Sequence, residues 1–335
     1  MEAIRKGLAV LLATFLVLTT VLAIFLFNFE RKAFSPVLYQ RVFANENFYE
    51  RIPVVMGQAL ANGAQHSDLP ASLQGLSAQG WEKFLRTLLP PETLKAMGDQ
   101  ALASMFAYLN SETNSATISL IPLKASMQNN AGTQAVIGLI QTLPACTLEQ
   151  MAQIPLAVLT QQQITLCNPP EQLLGMITPL IQAQLQVAAA VIPNEITLAS
   201  AQDQQTDPRQ RLEVVRLMMR LSPLLPLGFL LLLTLIIVRS LHEWLNWWGF
   251  PIMASGVIAA LMGLTSAPIA SLVIKGILEK RMPVYLPSIL LENGNQLAAA
   301  IVDELLKPVL WQGVMFALLG AVMVLICTYM KKKNQ

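Results

Sequence analysis

A chain of 335 residues that is 54% hydrophobic and only 13% charged departs from soluble domains, in which about a quarter of residues carry charge. Its formal net charge of +2, with no arginine-rich stripe carrying interleaved aromatics, excludes nucleic acid as a partner. The apolar residues gather in runs (mean hydropathy +0.52), which makes the lipid bilayer the first expected partner.

A run of roughly 18 apolar residues without charge is long enough to cross the hydrocarbon core as a helix. The first such run is Gly7 to Phe27, after a short N-terminal segment, 1–6, that holds Arg5 and Lys6. A cleaved signal peptide shares this basic start. The apolar core here is longer than a signal core, and no A-x-A site follows, so an uncleaved anchor is expected.

Residues 28–220 then read as one large domain in which apolar spacing near 3.6 dominates. In the segment from Pro91 to Asn110, Leu94, Met97, Ala101, Met105 and Tyr108 share one helical face. Thr147 to Gln150 fits a capping box, and a helix over 148–160 is expected after it. Pro169 to Val191 reads as a further helix interrupted at Pro179. Two short alternating stretches, Thr117 to Ile121 and Glu195 to Ala199, predict a small β element that needs helices packed on it. Cys146 and Cys167 are expected to form a disulfide, since two thiols in one exported domain usually pair. Closing a loop of that size contributes roughly 3 kcal/mol in the chain-entropy picture.

The second membrane run is Leu221 to Val238. Asp207-Pro208 upstream is an N-cap and N1 pair, so one helix is expected to begin near Pro208 and run into the membrane, bent by Pro223 and Pro226. A short loop, 239–249, follows. It carries Trp244, Trp247 and Trp248 on one helical face, the pattern of an interfacial belt. The third run is Phe250 to Ile274. Gly256, Ala260, Gly263 and Ala267 give it small residues at spacings of four, three and four, which lets helix backbones approach closely in lipid. The contact is expected within the chain, with a protein partner as the alternative. Residues 275–308 predict a loop with an amphipathic helix containing Leu297, Ile301 and Leu305, lying on the bilayer or docked beneath the large domain. The fourth run, Val309 to Met330, has Trp311 at its start, and the tail 331–335 is lysine-rich.

Four spans place both termini on one side, and Arg5, Lys6 and the terminal lysines suggest the cytoplasm. Arg31, Lys32, Arg209 and Lys275 weigh the other way. From Ala125 to Pro208, however, there is no lysine or arginine, which suits export, so the large domain is expected outside the cell membrane. The absence of an N-x-[ST] sequon fits a bacterial source. The fold class is therefore a mainly α membrane protein of four transmembrane helices, with a mostly helical extracytoplasmic domain between the first and second.

No catalytic constellation emerges. His66 and His242 lack the H-E-x-x-H spacing that sets two imidazoles around zinc, and no G-x-S-x-G elbow, P-loop or GxGxxG follows an expected strand. Neither cofactor nor metal ligands are assigned. No charge falls at the centre of a span, where a transport path usually shows one. The expected function is a non-enzymatic multi-pass membrane protein whose outer domain binds a partner, a ligand or an envelope component. The alternative is a permease or the membrane subunit of a transport complex. The order of one span, a large outer domain and three more spans resembles the membrane subunits of MacB- and FtsX-like ABC systems, in topology only. Those subunits present a cytoplasmic coupling segment, whereas the loop from Arg239 to Gly249 is short and aromatic.

Overall fold

An unbroken helix from Glu2 to Ala33, α1, opens the chain. The computed structural model describes residues 2–64, 76–149, 151, 167–201, 208–238, 240–281 and 288–333. His66 and most of the helix expected over 148–160 lie outside the described residues. Among the described residues the molecule is almost wholly helical, with one two-stranded sheet.

Ser35 and Pro36 start α2 (Pro36–Asn45), with Pro in the first turn where its missing N–H costs nothing. Asn47, in the left-handed region at φ 50, turns the chain into α3 (Phe48–Ala64). Ser77 caps α4 (Ala78–Leu88) by accepting from the Gly80 N–H. Next come α5 (Pro91–Leu109), strand β1 (Ser115–Ser119), α6 (Ile121–Gln128) and α7 (Asn130–Ile140). Asn129 caps α7 through the Ala131 N–H. The last domain elements are α8 (Glu171–Val191) and strand β2 (Glu195–Ser200). β2 pairs antiparallel with β1, with a register irregularity between Ala116 and Thr117.

α5 lies under the sheet, α4 packs between α3 and α7, and α8 lies along α6 and α7. The Tyr49 ring would meet a Cβ on Gly98 at 2.6 Å, so glycine is what lets α3 approach α5. Burial and the neighbouring Asp99 carboxylate push the Tyr49 hydroxyl up to about 12. The Cys146–Cys167 disulfide is present, with its Cα atoms 5.0 Å apart.

The remaining helices are α9 (Pro208–Leu221), α10 (Leu224–Ile237), α11 (Leu241–Arg281) and α12 (Ser288–Lys333). Among the described residues, five stretches are long and apolar enough to cross a membrane: Gly7–Ala33, Glu171–Val191, Arg209–Ile236, Leu241–Ser266 and Glu292–Lys332. They mark an α-helical membrane protein. Four coincide with the runs expected from sequence, and the additional one is α8.

Three local expectations change. The helix expected to bend at Pro223 breaks there: α9 ends, Ser222 donates to the Met219 carbonyl, and α10 begins. Pro179 does not interrupt α8, which runs through it. Residues 275–308 are not a loop around a separate helix. They are largely the facing ends of two long helices, α11 and α12. At 1.5 Å per residue these helices are roughly 60 and 70 Å long, about twice the ~30 Å hydrocarbon core.

Contacts fix the direction of each helix in the bundle. Glu30 at the end of α1 meets Arg216 and Arg220, Phe15 stacks on Phe229, and Ala9 and Leu12 bury Leu233. So α10 runs antiparallel to α1. Trp247 and Trp248 pack near Ala9, while Ala259 packs near Ile24, so α11 runs parallel to α1. His242 meets Cys327, and Gly263 meets Leu310, so α12 returns. The start of α1, the end of α10, the start of α11 and the end of α12 lie at one end of the bundle, and the large domain lies at the other.

The α11–α12 contact is built on glycine. A Cβ on Gly256 would collide with the backbone of Ala317, and one on Gly263 would sit 2.9 Å from Leu310 Cα. From the other helix, a Cβ on Gly313 would lie 2.5 Å from the Ala260 nitrogen, and one on Gly320 would collide with Met253. Gly249 closes against Val324. Glycines thus recur every seven residues on both helices, the repeat that keeps one seam facing its partner in a left-handed pair.

Candidate functional site at the membrane junction

Where α1 leaves the apolar zone, its sequence turns polar at Asn28, Glu30, Arg31 and Lys32. Helical spacing sends these to different neighbours. Glu30 is 3% exposed, and its Oε1 accepts from Arg216 at 3.1 Å and from Arg220 at 2.9 Å. Arg216 also donates to the Asn110 Oδ1 at 2.6 Å and stacks over Phe34 at 4.5 Å. One guanidinium therefore joins the membrane helix α1, the domain helix α5 and the descending helix α9. Arg209, a few turns above it on α9, lies over Tyr108 and donates to the Thr113 carbonyl.

A polar cavity of about 460 Å³ opens beside this junction, with Asn110, Glu112, Glu213, Arg216 and Arg220 in its wall. Ser111, at φ 61, makes the turn that forms its rim. The donors of both guanidiniums converge on Oε1 of Glu30, so the cluster fastens α1, α5 and α9 to one another.

A second tie lies two residues deeper on α1. Asn28 donates from Nδ2 to Gln312 Oε1 at 2.7 Å and to the Ile24 carbonyl at 2.7 Å, and Gln312 donates back to Asn28 Oδ1 at 3.3 Å. In apolar surroundings such amide pairs contribute on average about 0.6 kcal/mol. The third tie is Arg41 of α2 to Glu304 of α12 at 3.0 Å, supported by Lys307. Arg51 of α3 donates to Asn293 and Gln296. Glu304 thus finds Arg41 and Asp303 finds Lys307, while Arg209, Arg216 and Arg220 of α9 turn to Thr113, Asn110 and Glu30. Leu305, Leu306 and Val309 are buried with Leu38 and Ala33, and Ile301 packs against the same cluster.

The residues singled out from sequence fall in three places. Gly256, Ala260 and Gly263 sit in the α11–α12 seam, with Ala267 one turn further on α11. Trp244 and Trp248 touch each other at 4.9 Å, Trp248 donates to Thr234, and Trp247 packs against α1 and α10. Trp311 is exposed on α12. Cys146 and Cys167 join the start of α8 to the end of α7. None of these belongs to the polar junction. Sequence reasoning missed Glu30, Arg216, Asn28 and Gln312, whose only local signal is a polar residue beside an apolar run.

At the opposite end of the bundle, buried Cys327 has its Sγ 3.3 Å from His242 Nδ1. Among the described residues, no group of three or more His, Cys, Asp or Glu is placed to hold a metal ion.

No protein-family model, curated protein or solved structure matches this chain.

Proposed function

We propose that the chain is a non-enzymatic, four-span membrane protein of the cell membrane, with both termini cytoplasmic, whose extracytoplasmic domain binds a protein partner through α8. The uncovered apolar face of α8 carries this reading. From Gln172 to Val191 the helix has no charged residue. Met176, Val187 and Val191 are 76%, 62% and 81% exposed, and with Pro179 and Ala183 they form one stripe at spacings of three and four. Ile196 and Leu198 of β2 are exposed as well. A patch of this kind on an otherwise folded domain marks an interaction surface.

The ends of α8 favour a domain helix over a fifth span. Its start is tied to α7 by the Cys146–Cys167 disulfide and the Ala145–Asn168 bridge. Its end is tied to α6, where Lys124 donates to the Ile192 carbonyl and to Asn194 Oδ1. A spanning helix has its ends on opposite membrane surfaces, whereas both ends of α8 are fastened to one body. Helices that lie on a bilayer are rich in lysine and arginine on their polar face. The polar face of α8 carries glutamines instead, which favours a protein partner over lipid.

Single cysteines at Thr142 and Ser200, probed with a membrane-impermeant maleimide, are expected to label from the same side. Opposite sides would make α8 a fifth span and overturn the reading. A photo-crosslinker at Met176 or Val187 in intact cells should give a discrete protein adduct, and adducts to lipid alone would remove the protein partner. Recurrent co-purification of an ATPase would move the chain to the alternative, the membrane subunit of a transport complex.

A further inference from the structure

One stripe of α1 changes chemistry along its length. Leu16, Thr20, Ala23 and Phe27 follow each other at helical spacing, and Arg31 stands one turn above Phe27. The first four line an apolar cavity of about 400 Å³ whose far wall is Pro223, Pro226, Leu227 and Leu230 of α10. Arg31 lines a polar cavity of about 490 Å³ with Lys32, Ser35 and Arg41. Each volume falls within the roughly 300–1,000 Å³ usual for small-molecule sites. The stripe on α12 is continuous too: Phe316 lines the apolar cavity, Pro308 the polar one, and Gln312 both. The hydrogen-bonded amides of Asn28 and Gln312 stand at the boundary. The Arg31 guanidinium lies 5.5 Å from the Phe27 ring centroid, so the two halves touch.

The cavity has a local cause in the sequence. Ser222-Pro223 ends α9 and starts α10 with a break, and Pro226 follows within the first turn. Proline carries no N–H and fixes the chain direction. The wall facing α1 at this level is therefore proline rings and leucines rather than a continuous helix packed home.

We propose that this two-part groove holds one anionic phospholipid, taken from the leaflet next to the large domain, with an acyl chain in the apolar half and the phosphate at Arg31 and Lys32. Depth fits this occupant. From Leu16 to Phe27 the helix rises roughly 16 Å, about half of the ~30 Å hydrocarbon core. That places the polar half at headgroup level. Charge fits as well. Arg41 is paired with Glu304, but neither Arg31 nor Lys32 has a carboxylate partner among the described residues. Basic pockets between membrane helices select anionic headgroups, and guanidinium and ammonium donors to phosphate form strong, charge-assisted hydrogen bonds. A free inorganic anion would leave the apolar half unused, and a neutral lipid would leave two cations unmatched. The groove involves no residue of α8, so it stands apart from the partner surface proposed above.

The test uses the full-length protein, delipidated in detergent, titrated with phosphatidylglycerol, phosphatidylcholine or inorganic phosphate and read by native mass spectrometry. One phosphatidylglycerol per chain is expected, held roughly 30-fold more tightly than phosphatidylcholine, the combined effect of two lipid-facing cations. Inorganic phosphate should not displace it. Arg31→Gln with Lys32→Gln should reduce phosphatidylglycerol to the phosphatidylcholine level. Leu227→Trp, which fills the apolar half from an exposed lining position, should weaken both lipids. Equal retention of the two lipids, or unchanged retention in the charge variant, reduces the groove to ordinary annular contact and overturns the proposal. Displacement by inorganic phosphate alone would make it a free-anion site, with the same consequence. If the charge variant does not fold, the wild-type lipid preference and Leu227→Trp decide.

Discussion

Glu30 shows how unequal two similar ion pairs are. Arg216, 14% exposed, and Arg220, 57% exposed, both reach its Oε1. Removing a buried partner leaves a desolvated charge behind, at a cost of about 3–5 kcal/mol. Removing an exposed one typically costs about 0–1 kcal/mol. Arg216→Ala is therefore expected to lower stability by about 3 kcal/mol, since Arg220 still offsets part of the Glu30 charge, and it also strips Asn110 of its donor. Arg220→Ala should change stability by less than about 1 kcal/mol. Thermal unfolding in detergent measures both, and equal effects would mean that water reaches Glu30. None of this is legible in sequence order, because Glu30 and Arg216 are separated by 186 positions. A lone acid after an apolar run looks the same whether it faces solvent or an arginine. The cysteine pair was legible for the opposite reason: two thiols in a lysine-free stretch leave one partner each.

At the scale of the element, glycine is informative only through its neighbours. Gly256 lies against the backbone of α12, whereas a Cβ on Gly276, on the same helix, would have nothing within 4 Å of it. Gly256→Leu is expected to destabilise by about 1–3 kcal/mol, the usual cost of overpacking. Gly276→Ala should be neutral or stabilise by up to about 1 kcal/mol through helix propensity. Unfolding of the two variants side by side checks the contrast. If Gly256→Leu unfolds like the parent, α11 and α12 are not in contact at that turn. The apolar runs themselves were legible because lipid demands a continuous stretch, which sequence displays directly. The heptad of Gly249, Gly256 and Gly263 facing Gly313 and Gly320 was also present in the spacing. A search for small residues four apart finds only part of it. The limits of α11 and α12 were not legible, because apolar residues stop at the membrane edge while the helices continue beyond it.

For the whole molecule, the large domain and the membrane bundle are joined by two ties drawn from separate parts of the chain, Glu30–Arg216–Asn110 and Arg41–Glu304, while Asn28–Gln312 ties α1 to α12 within the bundle. The domain-side end of α12 adds apolar packing, with Leu305 only 6% exposed against Leu38 and Ala33. A charge buried there without a partner costs several kcal/mol. Leu305→Asp is therefore expected to accelerate proteolysis within the large domain, although residue 305 lies on a different part of the chain. An unchanged digestion rate and pattern would show that the domain holds itself together without α12. That the domain is mainly helical, with one strand pair, followed from apolar spacing. That α9 parts from α10 at Ser222 did not, because a proline near a helix start is compatible with either a bend or a break.

The seven-residue glycine rhythm has a further consequence. A repeat cannot specify its own phase. Sliding α11 along α12 by one heptad, about 10 Å at 1.5 Å per residue, would set Gly320 against Ala260, Gly313 against Ala267 and Gly263 against Ala317. Small residues would meet small residues again, so backbone fit alone does not distinguish the two alignments. A side chain that occurs only once makes the distinction, Cys327 of α12 opposite His242 of α11, while Asn28–Gln312 and Arg41–Glu304 hold α12 itself against α1 and α2. The Cys327–His242 contact acts as the index mark on a vernier, selecting one setting of a scale whose divisions are all alike.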